Sequence, residues 1–142
     1  MLRIRDEDLK TIESHGVATF PHECCGILLG RVSGGDKTVE ELLPVDNERQ
    51  ESRHNRFLIT PEALLRAERE GRARGLDIVG FYHSHPNAPA LPSEYDREHA
   101  WPTYSYIIVS VVDGVAGPVT SWELSSDRTR FEPENVNGTV EV

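Results

Sequence analysis

Two histidines one residue apart, His83 and His85, are followed at once by Pro86. Side chains in a β-strand alternate, so positions i and i+2 point to the same side. If the segment ends a strand, both imidazoles can offer a nitrogen to one metal ion. Asp96 lies one short loop further on, in the first turn of a helix expected to open at Ser93, and can swing back toward the pair. Two His and one Asp would leave the fourth position of a tetrahedral zinc site for water, the pattern of a catalytic site and not of a closed structural one. Zinc bound there lowers the pKa of its water to about 7. Hydrolysis also needs a base to take the water proton and hand it to a leaving amine. Glu23, in Pro21-His22-Glu23-Cys24-Cys25-Gly26, is the candidate. Ser93 can offer its hydroxyl to the oxyanion of a tetrahedral intermediate.

Each part has a plainer reading. A single His-x-His is a weak signal, and Ser93-x-x-Asp96 is also a helix capping box. Glu23 by itself passes as a surface acid. Order and spacing together favour the functional reading, because chance must supply all of them at once. His15, His22, His54 and His99 have no fitting partner by spacing, although His22 is close enough in sequence to line the site. Cys24 and Cys25 are adjacent and lack Cys-x-x-Cys spacing, so they read as small buried residues at a strand start.

Those side chains need elements to hold them. Asp6 to Phe20 reads as a helix with Leu9, Ile12, Gly16 and Phe20 near one face and Pro21 as its stop. Gly26 to Val32 and Thr38 to Val45 read as a hairpin turning at Ser33-Gly34-Gly35-Asp36. Asp46 to Arg56 reads as a polar loop and Phe57 to Ile59 as a short strand. A second helix is expected from the Thr60 cap and Pro61 to about Arg74, stopping at Gly75. Its Arg66, Arg69, Arg72 and Arg74 read as a solvated face. Asp77 to Ser84 is the strand that delivers the histidines. A third, short helix runs from Ser93 to about Ala100, and Tyr104 to Val112 is an apolar, central strand. Asp113-Gly114 turns into Val119 to Leu124, and a last strand lies near Arg128 to Glu132. The pattern predicts one domain over residues 1–142, an α/β (mixed α+β) fold with helices packed on a central sheet. The tail at 133–142 is expected to fray.

Composition sets outer limits. The chain has 142 residues and a formal charge of -9, with 24 acidic against 15 basic residues, a balance that disfavours nucleic acid as a partner. No apolar run approaches the roughly 20 residues of a membrane span. The charged start, Met1 to Lys10, lacks the apolar stretch of a secretory signal, which makes the cytoplasm the expected location.

Glu23, His83-Ser84-His85-Pro86 and, after the seven residues 86–92, Ser93-x-x-Asp96 together resemble the motif of the JAMM, or MPN-plus, zinc metallopeptidases. The resemblance covers about residues 1–132. It implies a cytidine-deaminase-like fold, zinc on His83, His85 and Asp96, Glu23 as acid/base and Ser93 supporting the oxyanion. The chain is similar above all to short prokaryotic members with Pro-x-Glu-Cys-Cys-Gly near the start. For these the resemblance implies cutting after the C-terminal Gly-Gly of a ubiquitin-like or sulfur-carrier protein, in some cases releasing cysteine or another amino acid. The segment from Asp96 to Tyr104 is short, so the second insertion of eukaryotic deubiquitinases is missing, and the loop 46–56 is left as the candidate to grip a carrier tail. An exposed sheet edge would also suit a homodimer. A non-catalytic MPN scaffold is the alternative, but such members lose ligands or the Glu. A deaminase would need Pro-Cys-x-x-Cys. The RadC family shares His-x-His…Ser-x-x-Asp but does not suit the acidic balance or the Pro-His-Glu-Cys-Cys-Gly segment.

Overall fold

The computed structural model describes residues 1–45 and 59–138. Its elements are β1 (Leu2–Arg3), α1 (Asp6–Thr19), β2 (Cys25–Ser33), β3 (Asp36–Val45), α2 (Pro61–Arg74), β4 (Asp77–Pro86), α3 (Glu94–His99), β5 (Ser105–Val112), β6 (Val115–Leu124) and β7 (Phe131–Glu134). The strands form one mixed sheet in the order β1-β3-β2-β4-β5-β6-β7. β1 runs parallel to β3 and β4 parallel to β5, and the other pairs are antiparallel. Among the described residues, no helix is long and apolar enough to cross a membrane.

Local chemistry explains the elements. Asp6, Glu7 and Asp8 put negative charge at the positive end of α1. The Thr60 hydroxyl accepts the Ala63 N–H at 3.2 Å, Pro61 fills N1 of α2, and Gly75 ends it at φ 68°. Gly34 and Gly35, both at positive φ, make the tight β2–β3 turn. One face of the sheet packs Leu28, Val79, Tyr82, Ile107, Val109 and Val111 with Ile12 of α1. The other packs Ile27, Leu29 and Phe81 with Ala67 of α2. Pairing between β2 and β4 steps from Leu28↔Gly80 to Leu29↔Ile78, so β4 carries one extra residue there. Such a bulge resets which side chains face which way. From Phe81 onward the odd positions, His83 and His85 included, share the α2 face.

Several boundaries differ from the sequence reading. β4 continues through His85 to Pro86, because β5 pairs with it to the end (His85↔Ser110, Pro86↔Val111) after its β2 ladder has stopped at Cys25↔His83. Pro86 is therefore the last residue of the strand. β5 lies beside the middle strand, β4. β6 begins at Val115, four residues early, since Asp113 and Gly114 form a two-residue turn. The register then jumps from Val111↔Ala116 to Val109↔Val119, and Pro118 sits in that bulge without needing a ladder N–H. β7 is shifted to Phe131–Glu134 by a turn in which the Asp127 carboxylate accepts from Ser125 and Thr129.

The ends depart most. β1 was not expected at all. Leu2 lies fully buried and bridges Val136 in parallel, and the Asn137 side chain clamps both the N–H and C=O of Ile4 at 2.8 Å. Residues 135–137 are thus held in place and not frayed, and they cover part of the sheet edge at β1. Residues 139–142, the expected loop 46–56, and Phe57 and Leu58 of the expected short strand lie outside the described residues, and Ile59 belongs to no strand.

Candidate metal centre

His83 and His85 leave the same face of β4, with ring centroids 4.9 Å apart and Nε2 atoms 3.1 Å apart. Asp96 is the third residue of α3. Its Oδ1 lies 3.2 Å from His83 Nε2 and its Oδ2 3.2 Å from His85 Nε2. Four tetrahedral ligands at 2.0–2.1 Å from a zinc ion stand about 3.3 Å from one another. The two imidazole nitrogens stand about one such edge apart, and each faces its own Asp96 carboxylate oxygen at a similar distance, so this donor set fits a metal. His85 donates its Nδ1–H to the Pro89 carbonyl at 3.0 Å. That bond selects the tautomer whose Nε2 carries the lone pair, the orienting contact common to histidine ligands.

The capping box and the metal geometry are made by the same residues. Ser93 Oγ accepts the Asp96 N–H at 3.0 Å while Asp96 Oδ2 accepts the Ser93 N–H at 2.8 Å. The plainer reading of Ser93-x-x-Asp96 is therefore realised, and its consequence is to aim the carboxylate at the histidines. Ser93 itself is exposed at the rim, and a hydroxyl that accepts one bond keeps a proton to donate.

Glu23 precedes β2, and its carboxylate, His83 and His85 offer ligand atoms that all lie within 4.8 Å of one another. It is 3% exposed, so the picture of a surface acid is corrected: the start of β2 is walled in by β4.

Charge suits a cation. Burial drives the His83 imidazole below its ordinary pKa, against the pull of Asp96. Burial would raise the Asp96 carboxyl, but the neighbouring imidazoles, His83 before His85, and the Ser93 N–H outweigh it and hold the group far below the usual carboxylate range. Neutral imidazole beside ionised carboxylate is the state that metal binding requires.

The rest of the motif packs behind the site. Cys24 and Cys25 are buried thiols outside any disulfide, and burial pushes the Cys24 thiol up to about 11. The Tyr82 hydroxyl bonds His15 Nδ1 at 2.8 Å, a pairing that spacing did not suggest. His22 is half-buried beside Glu23, and His99 stacks on Tyr95. Ser84, between the histidines, turns to the opposite face and accepts the Cys24 N–H at 2.8 Å. A polar residue alternating with ligands in a buried strand was the available signal for it.

The model of a protein family described as prokaryotic homologs of the JAB domain matches residues 7–125. The chain belongs to this family. Among its relatives in the prokaryotic JAB family and beyond, the desampylase of Haloferax volcanii is 35% identical over 127 residues, 89% of this chain and 86% of that one. A probable TtuB-protein conjugate cleaving protease of Thermus thermophilus is 35% identical over 107 residues, 75% of this chain and 68% of that one. The solution structure of a protein from Desulfitobacterium hafniense superposes with a TM-score of 0.84 at 30% identity, covering 96% of this chain and 91% of that one. A JAB1/MPN domain protein from Archaeoglobus fulgidus shares the fold, with a TM-score of 0.58 at 20% identity over 96% of this chain and 94% of that one. The prokaryotic JAB match begins after β1, the element that sequence reading did not expect, and ends before β7.

Proposed function

We propose that this protein is a zinc-dependent isopeptidase that hydrolyses the amide bond after the C-terminal Gly-Gly of a ubiquitin-like or sulfur-carrier protein. The observation that carries the proposal is the convergence of His83, His85 and Asp96 at 3.1–3.2 Å with the buried Glu23 alongside. The relatives named for desampylation and TtuB-conjugate cleavage supply the substrate class. In this reading His83 and His85, through Nε2, and Asp96, through its carboxylate, hold zinc, which when bound supplies Lewis acidity at the scissile carbonyl. Glu23 accepts the proton of the attacking water and passes it to the leaving nitrogen. Ser93 donates its hydroxyl to the developing oxyanion.

A thin glycine tail suits addition to a sheet edge. Among the described residues, β3 beyond Thr38 has no strand on its outer side, and we assign that edge to the carrier tail or, without a carrier, to a second copy of the chain. A cytoplasmic location fits two cysteines that stay out of disulfides.

The test compares wild type, His83→Ala and Glu23→Gln for zinc content and for cleavage of a carrier fused through its Gly-Gly terminus. About one zinc per chain is expected in wild type and in Glu23→Gln, and almost none in His83→Ala. Only wild type should turn over. A wild type that takes up no zinc on reconstitution, or a Glu23→Gln variant as active as wild type, overturns the proposal.

A further inference from the structure

We infer that Ser84, the residue between the two histidines, is the positioning residue for Glu23. The inference rests on the reading of Glu23 as the base. Ser84 points away from the metal ligands, is fully buried, and accepts the Cys24 N–H through Oγ at 2.8 Å. Its own N–H donates to the Cys24 carbonyl at 3.2 Å. The regular β2–β4 ladder ends at Cys25↔His83, so these two bonds carry the pairing one residue past its end, to the neighbour of Glu23.

Glu23 belongs to no strand or helix, yet it is 3% exposed. Its placement comes from what brackets it. On one side the His22 N–H donates to the Thr19 carbonyl at 2.8 Å and the Thr19 hydroxyl to the His22 carbonyl at 3.0 Å, which ties the segment to the end of α1. On the other side stands the Ser84 hydroxyl, on the strand that carries both histidines. One residue of β4 therefore sets the spacing between the base and the ligands. Helix α1 closes over it: a Cβ at Gly16 would sit 3.3 Å from Ser84 Cβ and 3.0 Å from Val111 Cγ2. If the hydroxyl is removed, so little space leaves the Cys24 N–H without a replacement acceptor, and the backbone at Glu23 must shift to find one.

The test uses Ser84→Ala, Ser84→Cys (similar volume, poor acceptor) and Ser84→Thr (hydroxyl kept), each loaded with zinc. A misplacement of the base by about 1 Å costs on the order of 100-fold in rate, so kcat should fall about 10- to 100-fold in the Ala and Cys variants. Zinc content and KM should stay at wild-type values, and Thr should restore most of the rate. In the metal-free proteins, amide hydrogen exchange at Cys24 should accelerate in Ala and Cys while the amides of His83 and Ile108 stay protected. Wild-type kcat in both Ala and Cys overturns the inference. So does loss of zinc together with the rate, because Ser84 would then support the ligands and not the base. A zinc-loaded wild type that cleaves no carrier refutes the function and leaves the exchange result to be read by itself: unchanged exchange at Cys24 refutes the Ser84 clamp, and faster exchange sustains it.

Discussion

Lys37 is 4% exposed and reaches from β3 across the interior to three other strands. Its Nζ donates to Ser105 Oγ at 3.0 Å and Glu123 Oε2 at 2.9 Å, and lies 3.8 Å from Glu134 Oε2. The Glu134 side chain is 2% exposed and also accepts the Ser121 hydroxyl at 2.9 Å. Lys37→Met keeps much of the packing volume and removes the cation. Breaking a buried pair from one side costs about 3–5 kcal/mol. Glu123 is 43% exposed and can turn to water, so its share is small and the lower end, about 3 kcal/mol, is expected. For a chain of this size that is a fall in Tm of about 10 °C. Urea and thermal unfolding followed by circular dichroism would measure it, with cleavage at moderate temperature unchanged. Lys37→Met/Glu134→Gln should recover more than half of the loss, because no buried charge is then stranded. The pH dependence has a definite sign. Burial first, then Glu123, raises the Glu134 carboxyl above its ordinary 4.5. Between the unfolded and folded pKa values the folded state binds more protons, so stability rises as pH falls through that window. The deficit of Lys37→Met should therefore shrink as pH falls from neutral toward the ordinary 4.5. A loss under about 1 kcal/mol, or equal losses in the single and double variants, would refute the assignment of a buried ion pair.

Two further outcomes follow from the packing and charge of the site. A Cβ at Gly26 would stand 2.0 Å from Tyr82 Cε2 and 2.5 Å from its hydroxyl, and Tyr82 is fully buried. Gly26→Ala should therefore cost about 3 kcal/mol, the upper end for overpacking, and urea unfolding showing under about 1 kcal/mol would sink the packing argument. In the metal-free protein, the lowered pKa of buried His83 means that the unfolded chain protonates first, so stability should begin to fall as pH drops below the ordinary 6.5. The depressed Asp96 carboxyl adds a second loss below its ordinary 3.8. Urea midpoints measured against pH should show both limbs, and zinc should move them to lower pH because it binds only the deprotonated ligands. A flat profile from pH 7 to 5 in the metal-free protein would contradict a buried neutral His83.

Most of this fold was legible because its signals are local. The Thr60-Pro61 start and Gly75 stop of α2, the Gly34-Gly35 hairpin and the apolar run of β5 each state their own structure over a few residues. The meeting of the candidate ligands was legible for a similar reason: His83 and His85 need only a strand, and Asp96 only a capped helix start, to face one another. What stayed hidden depends on residues far apart in the chain. β1 is two residues long and exists because β3 and residues 135–137 flank it. The burial of Glu23 is created by β4, sixty residues later. Lys37 looks like an ordinary surface charge until the sheet curves and brings β5, β6 and β7 to its ammonium group. The run of β6 across Pro118 was unreadable because the bulge that absorbs the proline is a property of the β5–β6 pair.

The bridge between Leu2 and Val136 bears on timing during synthesis. β1 leaves the ribosome before the other strands of the sheet, but its second hydrogen-bonded edge is made by residues more than 130 positions later. Contacts of such separation form slowly, since a long loop must close before they are rewarded. The β2–β3 hairpin and α2 can assemble as they emerge, whereas β1 must wait for residues 135–137 before it is sealed. During that interval the apolar Leu2 and Ile4 stand open. The growing chain therefore carries an open apolar edge at β1 until residues 135–137 have been made and have folded back onto it.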